Sequence, residues 1–126
     1  MITNRKDIAT LREIRQFIEG NFTRDLPVIS ICKEFGVNRT KLQEGFNQLF
    51  SISVHALISQ MRMDKARALL SETDESVKFI AMDCGYKNLS GFTRMFTRLH
   101  GISPTQYRSL HLTSEKPSEK VNGLAN

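Results

Sequence analysis

An internal repeat constrains the fold of this 126-residue chain more than any other feature of its sequence. When the first half of the chain is aligned with the second at an offset of 49 residues, small or apolar residues coincide, and the aligned stretch ends at a glycine in both halves. These pairs are Ile31 with Ile80, Cys32 with Ala81, Phe35 with Cys84, and Gly36 with Gly85. An offset of 50 continues the match with Leu42 and Phe92, Phe46 and Phe96, and Leu49 and Leu99. A short helix, a glycine turn and a longer helix, present twice, predict two helix-turn-helix units.

The apolar residues outside the repeat also recur at intervals of three and four, which indicates helices rather than half-buried strands. A first helix is expected to bury Ile8, Leu11, Ile14, Ile18 and Phe22. A short helix opened by Pro27 in its first turn is expected to turn Val28, Ile29, Ile31 and Cys32 inward. A longer helix, from about Val54 to Leu70, would span about 25 Å and place the two units roughly one turn of DNA apart, about 34 Å.

The local signals for helix ends agree with this pattern. Asn38, Ser53 and Ser76 are predicted to begin helices, and Gly36 and Gly85 to end them. We therefore predict an all-α fold: two helix-turn-helix subdomains joined by a long linker helix. The expected organisation is an N-terminal helix and first helix-turn-helix (1–52), the linker helix (53–72), the second helix-turn-helix (73–112) and a disordered tail (113–126).

Several function classes find no support in the sequence. No apolar run is long enough for a membrane span, and the N-terminus lacks the apolar block of a secretory signal, so a cytoplasmic protein without a membrane partner is expected. Cys32 and Cys84 are too few for a disulfide framework and are expected in the core. The three histidines fit no metal spacing and are expected on the surface or in loops. We predict no enzyme activity, no cofactor, no metal and no small-molecule ligand within this chain.

The two longer helices of the repeat carry the candidate site. On a helical wheel of 100° per residue, the positions opposite the predicted buried face, and those on either side of them, are polar. In the first unit they are Thr40, Lys41, Gln43, Glu44 and Asn47, with Arg39 beside them, and in the second Ser90, Thr93, Arg94, Thr97 and Arg98, with Lys87 beside them. Gln and Asn suit adenine, Arg suits guanine, and Glu accepts a hydrogen bond from cytosine N4. These residues are the candidate contacts to double-stranded DNA.

Charge placement favours the second unit as the stronger electrostatic contact. The chain has a net charge of +5, and residues 84–113 hold four basic side chains and no acidic one: Lys87, Arg94, Arg98 and Arg108. Lys33, Arg39 and Lys41 form a smaller basic edge on the first unit. Two simpler interpretations stay open: the polar faces are ordinary solvated surface, and Glu44 pairs with Arg39 or Lys41 instead of contacting a base.

A set of residues at fixed spacing resembles the AraC/XylS family of bacterial transcription regulators over about residues 26–108. The set is Arg62-Met63, Ala66, Leu69-Leu70, Ser76-Val77, Ile80-Ala81, Gly85-Tyr86, Phe92, Arg94, Phe96, Gly101-Ile102-Ser103-Pro104 and Tyr107-Arg108. The resemblance implies a homeodomain-like, bihelical DNA-binding domain, sequence-specific contacts from two recognition helices, and activation through contact with RNA polymerase. Glu44-Gly45 departs from the family pattern, in which a basic or polar residue is frequent.

Two further alternatives remain at this stage. Arg62 matches an arginine of the family's linker helix, and we expect it to form an internal salt bridge between the two halves rather than a DNA contact. The competing function is a helical adaptor that uses its exposed faces to bind an acidic protein or an anionic membrane surface.

Overall fold

The chain is helical in a computed structural model, which describes residues 4–111. Seven helices occupy this range: α1 (Arg5–Asn21), α2 (Val28–Phe35), α3 (Arg39–Phe50), α4 (Val54–Glu72), α5 (Val77–Asp83), α6 (Leu89–His100) and α7 (Pro104–His111). No strand interrupts them within the described range, which confirms the all-α prediction. The tail predicted to be disordered from residue 113 lies outside the residues that the structure describes.

Two compact units divide the chain between Arg62 and Met63, inside α4. The first unit packs α1, α2, α3 and the beginning of α4 around a core of Leu11, Ile14, Ile18, Ile31, Leu42, Phe46, Val54, Leu57 and Ile58. The second unit packs the rest of α4 with α5, α6 and Tyr107 of α7 around Met63, Ala66, Leu70, Ile80, Ala81, Cys84, Phe92 and Phe96. Helix α4 is continuous from Val54 to Glu72, as the linker-helix prediction required.

The repeat is longer than its helix-turn-helix part. Leu11, Ile14 and Ile18 of α1 are buried, and Met63, Ala66 and Leu70 of α4 are buried at the same spacing, 52 residues further on. Each unit therefore consists of a supporting helix, a helix-turn-helix and a following helix. The supporting helix gives each helix-turn-helix an apolar surface to cover, so each unit has a hydrophobic core of its own.

Most predicted helix ends are confirmed by hydrogen bonds. The side chain of Asn38 accepts from the backbone N–H of Lys41 at 2.7 Å, and Ser76 accepts from Phe79 at 3.0 Å. The Ser53 hydroxyl accepts from Ala56 at 3.0 Å at the start of α4. Gly36 ends α2 with φ of 67°, and Gly85 follows α5 with φ of 104°, a backbone region that favours glycine.

Two details of α2 differ from the prediction. Ile29 is 59% exposed instead of inward-facing, because it stands two residues, about 200° of helical rotation, from the buried Ile31. Pro27 has an extended ψ of 140° and precedes the helix as its N-cap, so it does not lie in the first turn. Its carbonyl oxygen nevertheless accepts the first bond of the helix, from Ser30 at 3.0 Å.

Helix α7 was not predicted, although a local signal for it exists. The Ser103 hydroxyl accepts from the backbone N–H of Gln106 at 3.1 Å, and the Gln106 side chain accepts from the N–H of Ser103 at 2.9 Å. This reciprocal arrangement is a capping box, and Pro104 follows it at the first helical position. The sequence Ser-Pro-Thr-Gln therefore specifies a helix start.

Histidine placement also differs in one case. His100 ends α6 and is half-buried, with its ring 4.3 Å from that of Phe96, whereas a surface or loop position was expected. His55 and His111 are exposed. No helix between residues 4 and 111 is long and apolar enough to cross a lipid bilayer.

Candidate nucleic-acid interface

Helices α3 and α6 have matching lengths and matching ends. Each has 12 residues and follows an asparagine whose side chain accepts a backbone N–H bond at 2.7 Å: Asn38 from Lys41, and Asn88 from Gly91. Each is followed by a C-cap residue in the left-handed region, Ser51 after α3 and Gly101 after α6. The asparagine side chains bind backbone N–H groups that have no partner within the helix, so they stabilise the N-terminal ends of α3 and α6.

Buried residues set the rotation of each helix about its axis. Leu42 and Phe46 of α3 are 0% exposed, and so are Phe92 and Phe96 of α6. A residue pair four apart defines one face of a helix, so the opposite face is left to solvent. The same outward positions are therefore available in both units.

On α3 the structure leaves all six candidate side chains exposed. They are Arg39, Thr40, Lys41, Gln43, Glu44 and Asn47. A cleft of about 260 Å³ opens beside this face. It is lined by Asp7 of α1 and by Asn38, Thr40, Lys41, Glu44, Gly45 and Gln48. The α3 candidates thus share one surface, and α1 contributes an acidic residue to its edge.

On α6 the candidate face is continuous and basic. Ser90, Arg94, Thr97 and Arg98 are exposed, Lys87 is exposed just before the helix, and Thr93 is half-buried. Within residues 4–111, no carboxylate forms an ion pair with Lys87, Arg94 or Arg98, so their charges are available to an external anion. Such a face suits phosphate binding and the recognition of guanine by arginine.

The α3 face has a different charge balance. The Lys41 ammonium group lies 3.3 Å from the nearer carboxylate oxygen of Asp7, in an ion pair that joins α3 to α1. The sequence left open a pair between Glu44 and either Arg39 or Lys41, but among residues 4–111 Glu44 forms no ion pair. Its carboxylate is therefore exposed on the candidate face without a neutralising partner in the described part of the chain.

Two arginines of the family pattern bind backbone carbonyl groups. Arg62 donates to the carbonyl oxygens of Phe22 at 2.7 Å and Arg24 at 2.9 Å, both in the first unit. These bonds secure the segment after α1. The salt bridge between the halves that the sequence favoured for Arg62 stays a prediction. A guanidinium group that donates to two backbone carbonyl oxygens holds the chain in place, so the role of Arg62 in these bonds is structural.

Arg108 has the corresponding role in the second unit. Its guanidinium donates to the carbonyl oxygen of Leu70 at 3.0 Å and to that of Thr73 at 3.1 Å, and the side chain is half-buried. The sequence placed Arg108 among the basic residues available to DNA, whereas the structure engages it at the end of α4. Of the four basic residues in the range 84–113, Lys87, Arg94 and Arg98 therefore remain exposed and available to an external anion.

Sequence reasoning missed two residues of the α3 surface. Asp7 was not assigned a role because its contact with Lys41 spans 34 residues and leaves no local pattern. Gln48 lines the cleft but stands just outside the outward positions that the helical wheel selected. The N-cap of α6, by contrast, is indicated by the repeat: Asn88 stands 50 residues after Asn38, the N-cap of α3.

Comparison with known proteins identifies the chain's relatives. A family model described as a helix-turn-helix domain, of the AraC type, matches residues 31–109. The chain belongs to the AraC/XylS family of transcription regulators. This family is a class of DNA-binding regulators rather than a class of enzymes.

Two relatives show how much of a longer protein the chain matches. The melibiose operon regulatory protein of Escherichia coli K12 is 32% identical over 94 residues, which cover 75% of this chain and 31% of the relative. The virulence regulon transcriptional activator VirF of Yersinia enterocolitica is 33% identical over 95 residues, covering 75% of this chain and 35% of the relative. The chain thus spans about a third of the length of these curated relatives.

Solved structures show the same fold. The C-terminal domain of AraT, a response regulator from Geobacillus stearothermophilus, is 31% identical with a TM-score of 0.82, covering 89% of this chain and 93% of that one. The DNA-binding domain of AdpA, solved in complex with a target DNA, is 23% identical with a TM-score of 0.75, covering 80% of this chain and 91% of that one. The AdpA likeness supports the fold alone.

Proposed function

We propose that the chain binds a specific duplex DNA sequence by inserting α3 and α6 into two successive major grooves. The observation that carries this proposal is the matched pair of capped helices, each with one buried face and one exposed polar face. An exposed, rigidly capped second helix of a helix-turn-helix is the element that reads bases in proteins of this architecture. The proposal is also supported by family membership, because the AraC/XylS family is a class of DNA-binding regulators.

The two recognition helices are proposed to contribute differently. In the second unit, Arg94 reads guanine, Lys87 and Arg98 bind phosphates, and Ser90, Thr93 and Thr97 make permissive contacts to bases or backbone. In the first unit, Gln43 and Asn47 recognise adenine and Glu44 accepts from cytosine N4, while Arg39 and Thr40 face the backbone. This division is supported by the exposed cations Arg94 and Arg98 on α6, with Lys87 just before it, and by the exposed Glu44 carboxylate on α3.

The wider role is proposed from the relatives. One is named as an operon regulator and another as a transcriptional activator, so we propose that this chain activates transcription and that RNA polymerase is a second partner. In the proposed organisation, residues 53–72 link the two DNA-contacting regions, 1–52 and 73–112. A protein with this role acts where the bacterial chromosome is, in the cytoplasm.

A salt titration tests the proposal most economically. Fluorescence anisotropy with a mixed-sequence duplex should show an association constant that falls steeply with salt, on the order of five phosphate contacts. Five contacts correspond to about a 500-fold loss between 50 and 200 mM salt. A variant with alanine at Lys87, Arg94 and Arg98 should lose about half of that slope, and Arg12→Ala, which removes an exposed charge from α1, is the matched control.

The competing adaptor function gives a different result. An adaptor would bind duplex DNA weakly and without the steep salt dependence, and would bind anionic vesicles or an acidic polypeptide at least as well. An association constant that is indifferent to salt between 50 and 200 mM contradicts the DNA-binding proposal.

A further inference from the structure

The first recognition helix carries an ion pair that the second unit lacks. The ammonium group of Lys41 lies 3.3 Å from Asp7 Oδ2 and 3.4 Å from Asp7 Oδ1. In the repeat, the position of Lys41 is occupied by Gly91, 50 residues later, and that of Asp7 by Ser59, 52 residues later. The pair is therefore specific to the first unit and not a requirement of the shared fold.

Asp7 is less exposed than its partner. It lies in the first turn of α1, where its backbone N–H donates to the Asn4 side chain at 3.4 Å, and its own side chain is only 22% exposed. The Lys41 side chain is 46% exposed and has four rotatable methylene groups. Because a lysine ammonium group is carried on a long, flexible side chain, we infer that the less exposed carboxylate of Asp7 determines where the ammonium group lies.

The location of the pair gives it a consequence for DNA binding. Asp7 and Lys41 line the cleft beside the α3 face together with Glu44, so two carboxylates share this cleft with one ammonium group. The α6 face has three cations and, within the described residues, no paired carboxylate. A lysine that binds DNA phosphate displaces condensed counterions, but an ammonium group already neutralised by a carboxylate displaces fewer.

We propose that Asp7 is a positioning residue that withholds Lys41 from the DNA backbone and so limits the sequence-independent affinity of the first recognition helix. This inference rests on the proposed function, because it concerns how tightly α3 holds DNA. Binding by the first unit then depends more on base contacts, such as those of Gln43 and Asn47, because it makes one phosphate contact fewer. The second unit keeps the sequence-independent attraction.

Removing the carboxylate of Asp7 while keeping its size is the direct test. Asp7→Asn should free Lys41 for one phosphate, which steepens the slope of log association constant against log salt by about 0.9 on a random duplex. Affinity for that duplex at 50 mM salt should rise about tenfold. Asp7→Glu, which keeps the charge, should retain the slope of the unmodified chain.

A double-mutant cycle separates this effect from a general change of charge. If Asp7 acts through Lys41, the variant carrying both Asp7→Asn and Lys41→Gln should bind random DNA like Lys41→Gln alone. Lys41→Gln alone should leave the salt slope within about 0.3 of the original, because the withheld lysine contributes little to it. Glu19→Gln is the matched control, since it removes an α1 carboxylate that pairs with Arg15 at 3.1 Å, and it should change affinity less than twofold.

Three results would overturn the inference. The first is an unchanged salt slope for Asp7→Asn in a protein whose thermal unfolding is intact. The second is tightening by Asp7→Asn that persists when Lys41 is glutamine. The third, which needs no change at Asp7, is a slope reduced by about 0.9 in Lys41→Gln. Failure of the proposed function is distinguishable, because the unmodified chain and Asp7→Asn would then both bind duplex DNA without salt dependence.

Discussion

Replacing Arg94 with alanine tests the assignment of α6 as a recognition helix. Arg94 occupies the outward position of that helix, two residues after the buried Phe92 and two before the buried Phe96, so its backbone position is fixed by the core. The side chain is exposed and forms no ion pair within residues 4–111. Its loss therefore breaks no internal salt bridge, and the free energy of unfolding should change by less than about 0.5 kcal/mol.

The expected effect on binding follows from that geometry. A bidentate arginine on guanine discriminates against a wrong base by about 1 to 3 kcal/mol, which is about 5- to 150-fold in the association constant. Arg94→Ala should lose affinity in this range for the selected site and lose preference at one base pair. Affinity for random DNA should fall less, by the contribution of one charge.

Anisotropy titrations on the selected site, on the same site with that base pair changed, and on a random duplex give the three required constants. Arg12→Ala is the control for loss of an exposed arginine outside the two recognition helices. An equal loss on all three duplexes would show that Arg94 binds phosphate rather than a base. No loss on any of them would refute the assignment of α6 as a DNA-contacting helix.

Three further substitutions have distinct expected outcomes. Glu44→Ala should leave affinity for random DNA equal or higher, because a carboxylate repels phosphates, and should relax selection at one base pair in a library selection; a uniform loss of affinity would contradict this. Arg108→Ala removes the two bonds to the carbonyl groups at the end of α4 and should lower the free energy of unfolding by about 2 kcal/mol in urea titrations. Arg108→Lys should restore only part of this loss, because lysine lacks the planar guanidinium group that donates to both carbonyl oxygens. Ser103→Ala should cost about 1 kcal/mol through the lost capping box, whereas Ser109→Ala, on the exposed side of α7, should be nearly neutral.

The elements that the sequence predicted well are those with local signals. Leu42 and Phe46 in α3 and Phe92 and Phe96 in α6 stand four residues apart, and helical geometry alone places each pair on one buried face. Asn38 needs only its own side chain and the next turn of backbone to begin a helix. The exposed positions of the candidate DNA contacts follow from the same wheel.

What escaped prediction depends on contacts between distant residues or on competing local choices. The pairing of Lys41 with Asp7 joins two helices, and the engagement of Arg108 at the end of α4 spans 35 and 38 residues. Nothing in the composition of either segment indicates these partners. Ile29 was misplaced because a run of apolar residues in a helix of eight residues cannot all face one core.

Selection from a random duplex library, followed by sequencing of the bound DNA, tests the central claim most directly. Two recognition helices in one chain predict a site with two separate blocks of preferred bases, about 10 base pairs apart, and no two-fold symmetry. The block contacted by α6 should contain a guanine whose preference disappears with Arg94→Ala. A two-fold symmetric site, or one block that is insensitive to substitutions in either α3 or α6, would contradict reading of the operator by a single chain through both helices.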